Sequence, residues 1–136
     1  MGIHEINVRP EGKGFWGQRI RQSNSRVDKY ELKINPQDES FYLPHSEGGY
    51  VQFENMVNST VQDGKLIMQQ KSFYHINDMP DFAKNKVLEE AKRQIDAAKA
   101  ANYKIEWLVS DERAVNQLTE FFKEQNVDIV VIYYPE

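Results

Sequence analysis

Apolar and polar residues alternate along the first half of the chain, and the period then changes. Val27, Tyr30, Leu32 and Ile34 are separated mostly by charges, which predicts a half-buried strand ending at Asn35-Pro36. Phe41-Tyr42-Leu43 predicts a short extended piece stopped by Pro44. After Gly48-Gly49, residues 50–57 (YVQFENMV) alternate well enough for a second long strand. A polar turn from Asn58 to Asp63, closed by Gly64, separates it from a third strand over 65–74, and the two read as a hairpin. From Asp81 the period becomes helical: Val87, Leu88, Ala91, Ile95, Ala98 and Ala101 define one apolar face, with Asp81 as the expected N-cap. Lys104 to Val109 follows as a strand, and Ser110-Asp111-Glu112 opens a second helix through Ala114, Leu118, Phe121 and Phe122. The apolar run 127–134 (VDIVVIYY) predicts a last strand covered on both faces.

The expected order is strand, strand, strand, helix, strand, helix, strand. That is an α/β fold with a mixed central β-sheet flanked by helices, antiparallel early and parallel where helices intervene. Residues 1–25 hold Gly, Arg, Gln and Ser, with Phe15-Trp16 as the strong apolar anchor. They read as an irregular basic arm with a short helical turn near Gln18 to Arg21, ahead of a folded domain over 26–136.

Composition narrows the chemistry. At 136 residues the chain is one domain with an ordinary soluble balance, 40% apolar and 28% charged, which argues against disorder. With no cysteine, disulfides, thiolate metal sites and cysteine nucleophiles are excluded. No run approaches the roughly 18 apolar residues of a membrane helix, and no signal-peptide core opens the chain. The expectation is a cytosolic protein or a piece of a longer, exported chain. Net charge is −4, which argues mildly against nucleic acid, but residues 1–33 hold seven bases against four acids, so +3, leaving −7 for the rest. A basic arm on an acidic body is compatible with gripping phosphates, and equally with a solvated segment.

The candidate chemistry lies on the expected hairpin. Gln69 and Lys71 share a strand face with Lys65, and Glu54 stands on the neighbouring strand where pairing brings it opposite them. Asp63 sits in the expected turn. An acid on one strand facing an amide-x-lysine on the next suits a hard cation such as Mg²⁺ or Mn²⁺, held by oxygen ligands, with the lysine acting on water and phosphate. Two acids compete for the first ligand position. Glu54, fifteen residues before Gln69, fits mid-strand; Asp63, six before it, lies nearer the hairpin tip.

The stretch 50–71 resembles the core of the PD-(D/E)xK superfamily, the restriction-endonuclease-like nucleases, in the glutamine variant seen in Mrr-type restriction enzymes. "YVQFEN…VQDGKLIMQQKSFYH…EEAKRQIDAA…EWLVSD" further resembles the restriction-endonuclease-fold toxin domains of bacterial polymorphic toxins. The resemblance covers about residues 26–136. It implies a metal-dependent nuclease, on DNA more than RNA, with Glu54, Asp63 and Gln69 around the metal and Lys71 as the catalytic lysine. It also implies delivery into target cells within a larger secreted protein, a cognate immunity protein as partner, action in the cytoplasm, and no membrane or small-molecule cofactor. Gln94, Arg93 and Lys65 are the expected substrate contacts, and Glu90 is a borderline further ligand. The sequence departs from the family in its first acid, in the charge lost at Gln69 and in the lack of a clear helix before the sheet. An inactive protein-binding module of the same fold is therefore the alternative.

Other motifs resolve more simply. His4, His45 and His75 lack metal-ligand spacing and read as surface or hydrogen-bonded histidines. Ser110-Asp111 reads as a helix cap. Gly12-x-Gly14-x-x-Gly17 matches a dinucleotide fingerprint only in letters, because no βαβ unit surrounds it. Phe15 and Trp16 either stack on bases or, the favoured reading, anchor the arm to the core.

Overall fold

A computed structural model describes residues 9–11, 13–68 and 74–136, the side chains of 9–11 excepted. Within them lie eight strands and three α-helices in two four-stranded sheets. The first sheet is antiparallel, in the order β1 (Arg9–Glu11), β2 (Gly14–Gln18), β3 (Glu39–Pro44), β4 (Tyr50–Phe53). The second holds β5 (Asn55–Val57), β6 (Thr60–Lys65), β7 (Lys104–Val109) and β8 (Val130–Tyr133), with β5 antiparallel to β6 and parallel pairing beyond. β4 and β5 form one ribbon interrupted at Glu54, so the two sheets diverge there.

The residues read as a first strand are instead helix α1 (Ser25–Ile34). Val27, Tyr30, Glu31 and Ile34 recur at spacings of three and four, and Tyr30, Glu31 and Ile34 are buried, as a helix face requires. The deciding signal is Asn24, whose side chain accepts from the Arg26 and Val27 amides at 2.9 and 3.3 Å. The expected irregular arm is partly ordered as the β1–β2 hairpin, and the turn expected near Gln18 to Arg21 is not helical. Trp16 packs edge-on against Phe41 with ring centroids 5.1 Å apart, which anchors that hairpin.

Helix α2 (Asp81–Ala101) and helix α3 (Glu112–Glu124) form where the period predicts them. Pro80 rather than Asp81 is the N-cap of α2, with Asp81 the acid in its first turn. Asp111 caps α3 by accepting from the Ala114 amide at 2.9 Å, and its carboxylate also meets His75 Nε2 at 2.7 Å. Val87, Ala91 and Ala98 of α2 and Leu118 and Phe122 of α3 pack with Phe41, Phe53, Ile105, Trp107 and Val109 in one core. Helix α1 lies on the opposite face of the second sheet, where Tyr30 and Ile34 pack with Leu108. Among the described residues no helix is long and apolar enough to cross a membrane.

Two further elements differ from expectation. The last strand is an edge rather than a strand covered on both faces: β8 pairs only with β7, and Val130 is 57% exposed. The hairpin turn is Asn58-Ser59, both with positive φ, so the following strand begins at Thr60 and Asp63 lies within it. Gly64, expected to close that turn, serves packing instead. A Cβ there would collide with Ile34 Cδ1 and reach Tyr30 Cε2 at 3.4 Å, so α1 can approach β6 only over a glycine. Gly64→Ala is expected to cost about 1–3 kcal/mol in chemical denaturation. Adding Ile34→Val should recover part of it, because the offending atom is then removed.

Candidate functional site

Alternation along β6 sends Asp63 and Lys65 to the α2 face and Gly64 to the α1 face. The Lys65 ammonium stands 2.9 Å from Asp63 Oδ2 and 2.6 Å from Glu90 Oε2. It also lies 4.6 Å above the Trp107 ring and 5.2 Å from the Tyr74 ring, so its free sides meet aromatic faces. Gln94 donates from Nε2 to Asp63 Oδ2 at 2.6 Å, and Trp107 Nε1 donates to Gln94 Oε1 at 2.7 Å. An indole nitrogen can only donate, so Trp107 fixes the Gln94 amide with its oxygen inward and its nitrogen toward Asp63. The orientation of a side chain on α2 is thus decided by a residue on β7.

Glu54 sits where the ribbon breaks between the sheets. Its Oε2 accepts from the Gly64 amide at 2.8 Å, and its carbonyl accepts from Asn35 Nδ2 at 3.2 Å at the end of α1. Glu54 and Asp63 are also hydrogen-bonded through their side chains. Burial, then the Asp63 charge, hold Glu54 well above the usual carboxylate range, whereas Asp63 is lowered because Lys65, Glu54 and Gln94 outweigh its burial. Of the two carboxyls, Glu54 is the one whose surroundings favour the neutral form. Burial works against the Lys65 charge, but Asp63 and Glu90 more than offset it and the ammonium is held firmly. Tyr74, whose hydroxyl donates to Glu90 at 3.2 Å, is pushed up to about 12, chiefly by burial.

Glu31 of α1 extends the network toward the first sheet. Arg19, 4% exposed, binds Glu31 at 3.2 Å and also Asp28 and Asp38, each at 2.8 Å. The guanidinium thereby joins the end of β2 to α1 and to the loop that leads into β3. Burial pushes the Glu31 carboxyl up, and Arg19 opposes that shift.

Glu54, Asp63, Lys65 and Gln94 are thus brought together, and all four are under 10% exposed. Gln94 lies where the helical wheel places it, turned toward the cluster. Lys65, expected as a substrate contact, is the lysine paired with Asp63 and Glu90. Arg93 is exposed and donates to the Tyr50 carbonyl at 3.5 Å rather than entering the cluster. Gln69 and Lys71 lie outside the described residues, as does His4. His45 Nδ1 accepts from the Glu47 amide at 3.2 Å, and neither His45 nor His75 joins the cluster. Sequence reasoning missed Trp107, Tyr74, Glu31 and Arg19. It also passed over Asp63-Gly64-Lys65, itself an acid-x-lysine triplet, by placing Asp63 in a turn.

Among the described residues no group of three or more His, Asp or Glu side chains forms a metal-ligand set. The donor set on hand is the carboxylate pair Glu54–Asp63. Two adjacent hard oxygen donors suit a Mg²⁺-like cation that keeps several waters, and such a cation would compete with any proton between them. No family model matches the chain, and no curated protein or solved structure matches it.

Proposed function

We propose that the chain is a metal-dependent phosphodiester hydrolase of the restriction-endonuclease-like kind, with Asp63-Gly64-Lys65 as its acid-x-lysine element and Glu54 as the opposing acid. The observation that carries this reading is the 2.9 Å contact of Lys65 with Asp63 on one strand face, beside a second buried carboxyl, Glu54, at the point where the sheets part. On the same resemblance we read it as a toxin domain acting on DNA more than RNA, delivered within a larger protein and neutralised by a cognate immunity protein.

Glu54 and Asp63 would hold Mg²⁺ or Mn²⁺, which supplies a polarised water and positive charge for the phosphate. Lys65 adds a fixed cation in surroundings of low dielectric, where charge developing on phosphate oxygens is stabilised most. Gln94, locked by Trp107, keeps Asp63 oriented and ionised. Glu90 holds the Lys65 ammonium until a phosphate oxygen takes its place.

The purified domain should degrade plasmid DNA when Mg²⁺ or Mn²⁺ is added. Asp63→Asn and Glu54→Gln should each lower the rate by ~100-fold or more. Lys71→Met, set beside Lys65→Met, decides which lysine works, and the expected loss is at Lys65. Cleavage undiminished in Asp63→Asn and Glu54→Gln would remove the assignment. The burial and full pairing of the cluster favour a second reading, an inactive binding module, for which no divalent-dependent cleavage should be detected on DNA or RNA.

A further inference from the structure

Each ion of the Asp63–Lys65 pair is held by a residue of α2, and each of those residues is held in turn by an aromatic donor. Trp107 fixes Gln94 on Asp63, and all three are buried. Tyr74 fixes Glu90 on Lys65. Its hydroxyl donates to Glu90 Oε1 at 3.2 Å, and Glu90 Oε2 meets the Lys65 ammonium at 2.6 Å. Glu90 and Gln94 stand four residues apart on α2, so they share one helix face a turn apart. The two sets of contacts differ in access. The side chain of Asp63 is 10% exposed, whereas that of Glu90 is 37% exposed. An anion that reaches the ammonium from solvent therefore meets Glu90 first and has to turn it aside.

Both carboxylate oxygens of Glu90 are engaged, so turning it aside breaks the contact with Tyr74 as well as that with Lys65. Tyr74 cannot follow. Its ring meets Trp107 edge-on, with centroids 5.9 Å apart and 87° between the planes. The residues after it are tied to α3 and its cap. His75 Nε2 meets Asp111 Oδ2 at 2.7 Å, the Asn77 amide donates to Gln117 Oε1 at 3.1 Å, and Arg113 donates to Asp78 Oδ2 at 3.1 Å. Ile76 among them is fully buried. The Tyr74 hydroxyl thus reaches from a segment docked on α3 to a side chain carried by α2. Burial pushes that hydroxyl up to about 12, so it donates throughout the neutral range.

We infer that Tyr74 is a positioning residue: acting through Glu90, it sets how readily the Lys65 ammonium leaves its resting ion pair. That the ammonium then passes to a phosphate oxygen rests on the phosphodiester reading above. A hydrogen bond to a charged acceptor is stronger than one between neutral groups, and losing it shifts such a release equilibrium by about tenfold.

Tyr74→Phe is the selective probe, because it keeps the ring on Trp107 and deletes the hydroxyl alone. The full chain is pulse-labelled with an acetylating reagent, and mass spectrometry compares Lys65 with the exposed Lys104. Lys65 should label slowly in the parent and about tenfold faster in Tyr74→Phe. It should also label faster in Glu90→Ala, and adding Tyr74→Phe to that variant should change little. Lys65 bonds the same hydroxyl, so this background separates action through Glu90 from action on the lysine itself. Thermal melts of the four chains check that labelling reports folded protein. In plasmid cleavage with Mn²⁺, KM should fall in Tyr74→Phe by more than kcat changes. Equal Lys65 labelling in the parent and Tyr74→Phe overturns the inference. So does an equal gain from Tyr74→Phe with and without Glu90, which marks a direct contact or a general loosening. A Glu90-dependent gain in labelling, with no cleavage by any chain, upholds the role of Tyr74 and removes the hydrolase reading instead.

Discussion

Lys65→Met should lower the stability of the fold by about 3–5 kcal/mol, in addition to ending any cleavage. The lysine side chain is 9% exposed and its ammonium stands within 3 Å of two carboxylates, so its removal leaves Asp63 as a buried anion without its cation. Glu90 is less affected, since its side chain is 37% exposed and can turn to water. Methionine fills similar volume between Trp107 and Tyr74, so the loss arises from charge rather than from a cavity. The companion variant Asp63→Asn/Lys65→Met removes both charges and should recover most of the lost stability while remaining inactive. Urea unfolding of the four chains (parent, both singles and the double) gives the coupling directly. A Lys65→Met protein as stable as the parent would mean that the lysine is not closed against Asp63, and the site as assigned would fall.

The same pair explains what could be read from the sequence and what could not. Helices α2 and α3 and strand β7 were legible because each buries one face against a continuous core, and their periods run long enough to be unambiguous. Helix α1 was misread because ten residues with only four facing inward fit two periods. The cap at Asn24, a local signal outside the periodic segment, is what separates them. A hairpin after Tyr50 was legible, but its turn was drawn over Asn58 to Asp63 and closed at Gly64 instead of ending at Ser59, so its second strand was expected over 65–74 rather than at Thr60–Lys65. Glycine was taken for a turn residue when its missing side chain makes room for Ile34. Gln94 was legible on the helical wheel. Its dependence on Trp107 was not, because it needs the parallel register that sets Asp63 beside Trp107 across two strands. Chemistry that depends on pairing between distant segments leaves little trace in either segment alone.

Titration of Glu54 should dominate the pH dependence of the protein. An ordinary glutamic acid ionises near pH 4.3 in an unfolded chain, whereas burial and Asp63 hold the folded Glu54 well above that. From about pH 4.3 up to the folded value, the native state binds one proton more than the unfolded chain. Stability contributed by the protonated group is therefore fully present below that window. It declines as pH rises through it, by up to about 1.4 kcal/mol per pH unit. Asp63 acts with the opposite sign: its lowered value adds stability above about pH 3.9, lost as pH falls through the folded value. Glu54→Gln removes this titration, so its stability should fall less steeply than the parent's as pH rises from 5 to 9 and exceed that of the parent at the alkaline end, Glu31 leaving a smaller slope of the same sign. Divalent cations connect this curve to function, because an ion bound between Glu54 and Asp63 must displace the Glu54 proton. Mn²⁺ should accordingly raise the parent's melting temperature more at pH 8 than at pH 6, and should leave Glu54→Gln nearly unmoved at both. Equal slopes of stability against pH in the parent and Glu54→Gln would show that the proton sits elsewhere. An Mn²⁺ response in the parent that ignores pH would place any bound ion away from this pair.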